Sequence, residues 1–180
     1  MSEYVKVDTR GLELYRDTIR RDLVSPSGGG PIRGVFKQWA ARWRSFQKLR
    51  FVIKSRGGGG WKPLADSTVK RRRNKSGGSV TILWDKLGSI TKALTPSFSR
   101  APGQYEKDIP CGITVGFGGP GKHPSGRATI ADIASFHDAG TPTIPARTIL
   151  DDVDSITKTG MRNDLEDACV KLAAKTNIAR

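Results

Sequence analysis

The chain contains few of the residues on which disulfide-rich and metal-binding domains depend. Only two cysteines and two histidines occur among its 180 residues, and Cys111 and Cys169 have no CxxC spacing. Two cysteines are too few for a disulfide scaffold, and so scattered a set of His and Cys argues against a classical zinc site. These features favour synthesis in a reducing cytoplasm.

Long apolar runs are also missing. No stretch approaches the roughly 18 apolar residues of a membrane span, and residues 1–10 do not have the pattern of a secretory signal. We therefore expect no membrane partner. An apolar content of 36%, with four Trp and six Phe, is nevertheless sufficient for a core. A chain of this length buries about 70% of its unfolded surface, so it needs no disulfide or metal to fold.

Acidic residues are scarce in one part of the chain only. Residues 31–75 hold 14 Lys and Arg but a single acid, Asp66, and residues 1–75 carry +13 of the formal net charge of +14. This asymmetry predicts a surface that faces a polyanion, either nucleic acid or an acidic protein. The alternative is a solvated basic face that only keeps the protein soluble. The candidate contacts are Lys70, Arg71, Arg72, Arg73 and Lys75.

Apolar periodicity predicts several helices. One helix ends near Val24 and is followed by the glycines 28–30, which predict a flexible joint. The longest helix is expected over residues 31–53, with basic residues on its exposed faces. Its predicted buried stripe comprises Ile32, Val35, Phe36, Trp39, Trp43, Phe46, Leu49 and Ile53. Residues 1–30 are thus interpreted as an N-terminal arm and helix, and residues 31–180 as a single domain.

The rest of the chain alternates short helices with strands. The clearest strand contains Ile113, Val115 and Phe117 in alternation, and Cys111 at its start is expected to be buried and unreactive. The other elements are helices near 66–76, 84–94, 128–139 and 157–177, and strands near 98–105, 109–117 and 147–150. This order predicts an α+β fold in which a small antiparallel sheet packs against long amphipathic helices.

No combination of residues predicts a catalytic site. Asp151, Asp152 and Asp154 are more typical of a charged approach to a helix than of a cation site. His137 and Asp138 are adjacent in a predicted helix and therefore point about 100° apart, and Ser135 lies in no GxSxG motif. We expect no enzymatic activity, no metal and no cofactor.

Several motifs follow one another in a distinctive order. Their sequence is Gly60-Trp61-Lys62-Pro63-Leu64-Ala65-Asp66-Ser67-Thr68, the basic stretch Lys70–Lys75, Leu83–Ile90, Ile113-Thr114-Val115-Gly116, Phe136-His137-Asp138-Ala139-Gly140 and Ile144-Pro145-Ala146-Arg147-Thr148-Ile149-Leu150. In this order they resemble the virion morphogenesis proteins of tailed phages, the tail-completion and neck family that includes the groups typified by phages Mu and HK97. The resemblance spans about residues 39–150, and its last two motifs are the most specific.

The resemblance implies a non-enzymatic structural protein of the head–tail junction that is needed for virion assembly. Members of this family assemble as rings, so it implies a homo-oligomeric ring, with a hexamer favoured. The implied neighbours are head–tail connector and tail tube or terminator proteins, with packaged DNA as a further candidate partner. The implied location is the virion, after synthesis in the host cytoplasm.

The motif residues are expected to act as scaffolding. They are Trp61, Pro63, Leu64, Thr68, His137, Gly140, Pro145, Ala146 and Arg147. The prolines would set the chain direction, the glycine would permit a left-handed turn, and the arginine would hold backbone or carboxylate groups in a fork. The rival hypothesis is a stand-alone protein that binds nucleic acid without sequence preference through the basic 31–75 face.

Overall fold

Helices dominate the computed structural model, which describes residues 10–24, 30–76, 82–83, 89–95, 101–123 and 126–175. The elements are α1 (Arg10–Val24), α2 (Pro31–Ser55), α3 (Asp66–Ser76), α4 (Ser89–Ala93), β1 (Gln104–Ile109), β2 (Gly112–Phe117), α5 (Ile130–Ala139) and α6 (Ser155–Lys175). β1 and β2 pair as a two-stranded antiparallel sheet that packs against helices. The predicted α+β class is therefore confirmed.

The chain forms two compact units. Unit 1 comprises residues 1–40, 107–114 and 155–180, and unit 2 comprises residues 41–106 and 115–154. These units divide the chain at points other than the boundary predicted at residue 30. No helix within the described residues is long and apolar enough to cross a membrane.

Each unit has its own apolar core. In unit 1, Ile32, Val35 and Phe36 of α2 pack with Ala168 of α6. The N-terminus of α2 is capped there by the buried carboxylate of Asp22, which accepts a hydrogen bond from the Ile32 amide at 3.3 Å. The core of unit 2 consists of Phe51, Leu83, Ile90, Ala93, Leu94, Ile130, Ala134 and Ile149.

The buried positions of α2 differ from the predicted stripe. Leu49 is 60% exposed and Ile53 is 38% exposed, whereas Arg33 and Arg44 are buried. The buried positions instead recur every three or four residues as Arg33, Phe36, Ala40, Arg44, Gln47, Phe51 and Ser55. The prediction that the arginines of this helix are exposed is wrong at two positions, because each of these two guanidinium groups has acceptors on β1.

Acidic and carbonyl groups of the hairpin satisfy both arginines. In unit 1, Arg33 Nη1 donates to the Gly112 carbonyl at 2.7 Å and lies 3.8 Å from the Asp108 carboxylate. In unit 2, Arg44 Nη1 lies 2.7 Å from Glu106 Oε2. Buried charges are tolerated when they are paired and hydrogen-bonded in this way.

The strand predictions were partly right. β2 matches the predicted strand over 109–117, but its partner is β1 at 104–109 rather than 98–105, because Pro110 and Cys111 form the turn between them. Cys111 is exposed and has φ +59°, so the expectation of a buried thiol was wrong. The strand predicted at 147–150 is absent from the described chain, since the Arg147 amide bonds to the His137 carbonyl instead of to a strand.

Glycine ends α2 by a Schellman motif. The Gly58 amide donates to the Ile53 carbonyl and the Gly57 amide to the Lys54 carbonyl, both at 3.0 Å, while Gly57 has φ +89°. The glycines that predicted a mobile loop therefore include the cap of the longest helix.

Replacing Gly57 by alanine is expected to lower the free energy of unfolding by about 1 kcal/mol, because an L side chain is strained at this φ. Gly34→Ala is the matched control in the same helix. No heavy atom lies within 4 Å of the Cβ that it would add, so this change should stabilise the protein by about 0.5–1 kcal/mol. Urea unfolding of both variants measures the difference. Equal effects of the two substitutions would contradict the assigned cap.

Candidate functional site

Two segments that are distant in sequence, 61–65 and 144–148, are bonded to each other in unit 2. The Trp61 indole Nε1 donates to the Thr148 carbonyl at 3.0 Å, and Arg147 Nη2 donates to the Lys62 carbonyl at 3.4 Å. Trp61 also packs edge-on against Phe51, with ring centroids 5.7 Å apart. The core of unit 2 thus anchors the first segment, and the first segment holds the second.

A groove of about 820 Å³ is lined by both segments. Most of the residues expected to act as scaffolding meet here, although the two motifs are about 75 residues apart in the chain. The lining residues are Lys62, Pro63, Leu64, Ala65, Asp66, Thr68, Arg71, Ile82, Leu83, His137, Thr143, Ile144, Pro145 and Arg147. We call this surface the motif groove. Trp61, Gly140 and Ala146 are not among its lining residues.

Arg147 holds the walls of the motif groove together. Its side chain is only 5% exposed, and its guanidinium lies within 3.5 Å of the Pro145 carbonyl as well as bonding that of Lys62. Its backbone amide donates to the His137 carbonyl at 2.7 Å, which ties the segment to the end of α5. A planar guanidinium reaches several carbonyl groups at once, which a lysine ammonium cannot do in the same geometry.

Gly140 allows the chain to turn back after α5. It has φ +77°, and a Cβ at this position would lie 2.7 Å from the Ala146 backbone nitrogen. The Thr141 and Ile144 amides then each bond the other residue's carbonyl, at 2.8 and 3.2 Å. This turn brings residues 144–148 to the motif groove and explains why glycine precedes the Ile144–Leu150 motif.

His137 is half-buried in the wall of the motif groove. Its Nδ1 is buried and makes no hydrogen bond to any described residue. Burial lowers the pKa of the His137 imidazole below its usual value of 6.5, and the nearby positive charge of Arg147 lowers it further. The neutral imidazole is therefore the form that the folded protein favours.

This lowered pKa predicts a loss of stability in mild acid. The unfolded chain binds a proton at His137 as the pH falls through 6.5, whereas the folded chain binds it only at lower pH. The stabilisation is therefore complete above pH 6.5 and is lost as the pH falls toward the folded-state pKa. We expect His137→Gln to lose less unfolding free energy than the wild type between pH 7.5 and pH 5, measured by urea titration. An unchanged pH dependence in the variant would contradict this assignment.

The basic stretch after the first motif lies on α3. The side chains of Lys70, Arg71 and Arg73 are exposed, and only Arg71 lines the motif groove. The side chains of Arg72 and Lys75 lie outside the described residues. Because Asp66 is the only acid of α3, the described part of this helix presents positive charge to solvent.

The weaker catalytic candidates do not come together. Ser135 and Asp138 line a separate depression from the one that His137 lines. The Asp138 carboxylate accepts the Ile149 amide at 2.8 Å, and the Asp151 carboxylate pairs with the Lys54 ammonium. Among the described residues, no group of three or more His, Cys, Asp or Glu is placed to hold a metal ion.

Sequence reasoning missed the polar residues that bind α2 to its surroundings. The Gln47 amide, which is fully buried, donates to the Asp151 carbonyl at 2.6 Å and accepts from the Asp151 amide at 2.9 Å. The one available signal was the pair of acids Glu106 and Asp108, whose spacing of two places them on one face of a strand.

Comparison with known proteins gives no match. No model of a protein family matches the chain, and no curated protein and no solved structure is detectably similar to it.

Proposed function

We propose that the protein is a non-enzymatic structural component of the head–tail junction of a tailed phage and is needed for virion assembly. The observation that carries the proposal is the meeting of the two most distinctive motif regions, 60–68 and 136–150, around one groove. The residues expected to act as scaffolding include Trp61 and Arg147, and these two make hydrogen bonds between the segments. A role in assembly requires rigid surfaces rather than reacting groups, and these contacts build a rigid surface.

In this role the chain would form a homo-oligomeric ring, with six subunits favoured. Its neighbours would be the head–tail connector and the tail tube or terminator proteins. The protein would be located in the virion after synthesis in the host cytoplasm, without cofactor or membrane partner. The exposed basic side chains of α3 would face packaged DNA or an acidic neighbour.

Electron microscopy of lysates in which this one gene is blocked tests the proposal. We expect filled heads that accumulate apart from tails, or tails with abnormal ends and lengths. Supplying the wild-type chain in trans should restore infectious particles, and Gly34→Ala, which adds one methyl group to an exposed position of α2, should restore them equally. Normal infectious particles in the absence of the protein would overturn the proposal.

A second candidate function is binding of nucleic acid without sequence preference. The exposed Lys70 and Arg73 favour it, because both lie on a helix whose single acid is Asp66 at its first turn. If both side chains contact phosphates, changing both to glutamate should lower the slope of log affinity against log salt by about 2. Filter binding to duplex DNA over a salt series measures that slope. An unchanged slope would exclude α3 as the DNA contact.

A further inference from the structure

The motif groove has side chains of two chemical kinds. Its apolar lining comprises Pro63, Leu64, Ile82, Leu83, Ile144 and Pro145. Lys62, Arg71 and Arg147 add three positive charges, and Asp66 is the one acid among the described lining residues. A ligand that matches this surface therefore presents both apolar groups and carboxylates.

The groove is also formed before any ligand binds. Its two walls are joined by the Trp61–Thr148 and Arg147–Lys62 hydrogen bonds, and Gly140 fixes the turn that leads into the second wall. Binding to a preformed surface costs less ordering of the protein than binding to a loop that must fold. A volume of about 820 Å³ is sufficient for several side chains of an extended peptide.

The composition of the groove favours a peptide over nucleic acid. Single-stranded nucleic acid binds by stacking its bases on aromatic rings, and the described lining holds no aromatic ring apart from the His137 imidazole. Charge also disfavours a second copy of this chain as the occupant, because each copy carries a net charge of +14. The complementary occupant is a segment of a different, acidic protein.

We propose that the motif groove binds an extended segment of an acidic partner protein. The carboxylates of that segment would pair with Lys62 and Arg71, and its apolar side chains would pack on Pro63, Leu64 and Pro145. The inference rests on the proposed function in one respect: it takes the partner to be a neighbouring protein of the particle. Peptide binding in solution is measured apart from particle assembly, so the two proposals can fail separately.

An array of nine-residue peptides tests the groove with the full chain. One set alternates Asp or Glu with Leu, Ile, Val or Phe, a second set replaces the acids by lysine, and a third replaces the apolar residues by serine. We expect the full chain to select the first set over the other two. The affinity of the best selected peptide is then measured by fluorescence anisotropy.

Two charge-reversal variants on α3 provide the matched comparison. Arg71→Glu lies in the groove and should weaken the selected peptide about tenfold, whereas Arg73→Glu, two residues away and outside the groove, should change the affinity by less than about twofold. Both side chains are exposed, so neither change should unfold the protein. Lys62→Glu should repeat the effect of Arg71→Glu.

Three outcomes would overturn the inference. No selection of the acidic-apolar set would mean that the groove does not bind such a segment. Equal losses in Arg71→Glu and Arg73→Glu would mean attraction to the bulk positive charge. Equal binding of the acidic set without apolar residues, with duplex DNA as an effective competitor, would identify a polyanion surface instead. Normal peptide binding together with normal particles in the gene-blocked lysate would retain the groove and exclude the assembly role.

Discussion

Replacing Arg44 by alanine is expected to lower the free energy of unfolding by about 3 kcal/mol. The Arg44 side chain is 3% exposed, pairs with Glu106 at 2.7 Å and also donates to the Tyr105 carbonyl at 3.4 Å. Its removal leaves a carboxylate that is 27% exposed without this partner and opens a cavity beside α2. Urea unfolding followed by circular dichroism measures the loss.

Two further variants separate the ion pair from simple packing. Arg42→Ala removes an exposed arginine from the same helix and should cost no more than about 0.5 kcal/mol. Arg44→Met combined with Glu106→Leu should be more stable than Arg44→Met alone, because the double variant leaves no buried carboxylate without its cation. If Arg44→Ala were as mild as Arg42→Ala, the buried pair would have no stabilising role.

Arg147→Ala is expected to have the second largest effect, a loss of about 3 kcal/mol. The side chain is 5% exposed, and its removal leaves the Lys62 and Pro145 carbonyls without their donor. The two walls of the motif groove should then separate more often. We therefore expect faster hydrogen exchange at the amides of residues 61–65 and 144–149 than in the wild type.

Two substitutions serve as controls for this prediction. Arg147→Lys keeps the charge but loses the planar fork, so it should recover only part of the stability. Arg71→Ala removes an exposed cation from the same groove and should change the unfolding free energy by less than about 0.5 kcal/mol. Full recovery by lysine would show that charge alone, rather than the bonds to two carbonyls, explains the burial of Arg147.

Both effects would also inform the proposed function. A variant at Arg147 that folds but no longer binds the selected peptide would connect the scaffold to the groove. A variant at Arg44 should leave peptide binding intact wherever it remains folded, because Arg44 is not among the groove residues. The comparison therefore separates general instability from a defect in the groove.

Local signals in the sequence were sufficient to predict most helices and the α+β class. Pro31 begins α2 and Asp66 begins α3, and both residues suit a first helical turn whatever surrounds them. Thr129 caps α5 by a capping box with Asp132, one residue after the predicted start of that helix. The alternation of Ile113, Val115 and Phe117 similarly identified β2. These features depend on neighbours in the chain, so periodicity and capping residues reveal them.

Long-range contacts accounted for the features that the sequence did not reveal. Periodicity assigned Leu49 to the core and Arg44 to the surface, but Glu106 and the Tyr105 carbonyl satisfy the arginine, and Leu49 is left exposed. The motif groove is of the same kind, because its walls come from segments about 75 residues apart in the chain. A side chain's burial depends on the partners that folding brings to it, and a linear pattern carries no record of those partners.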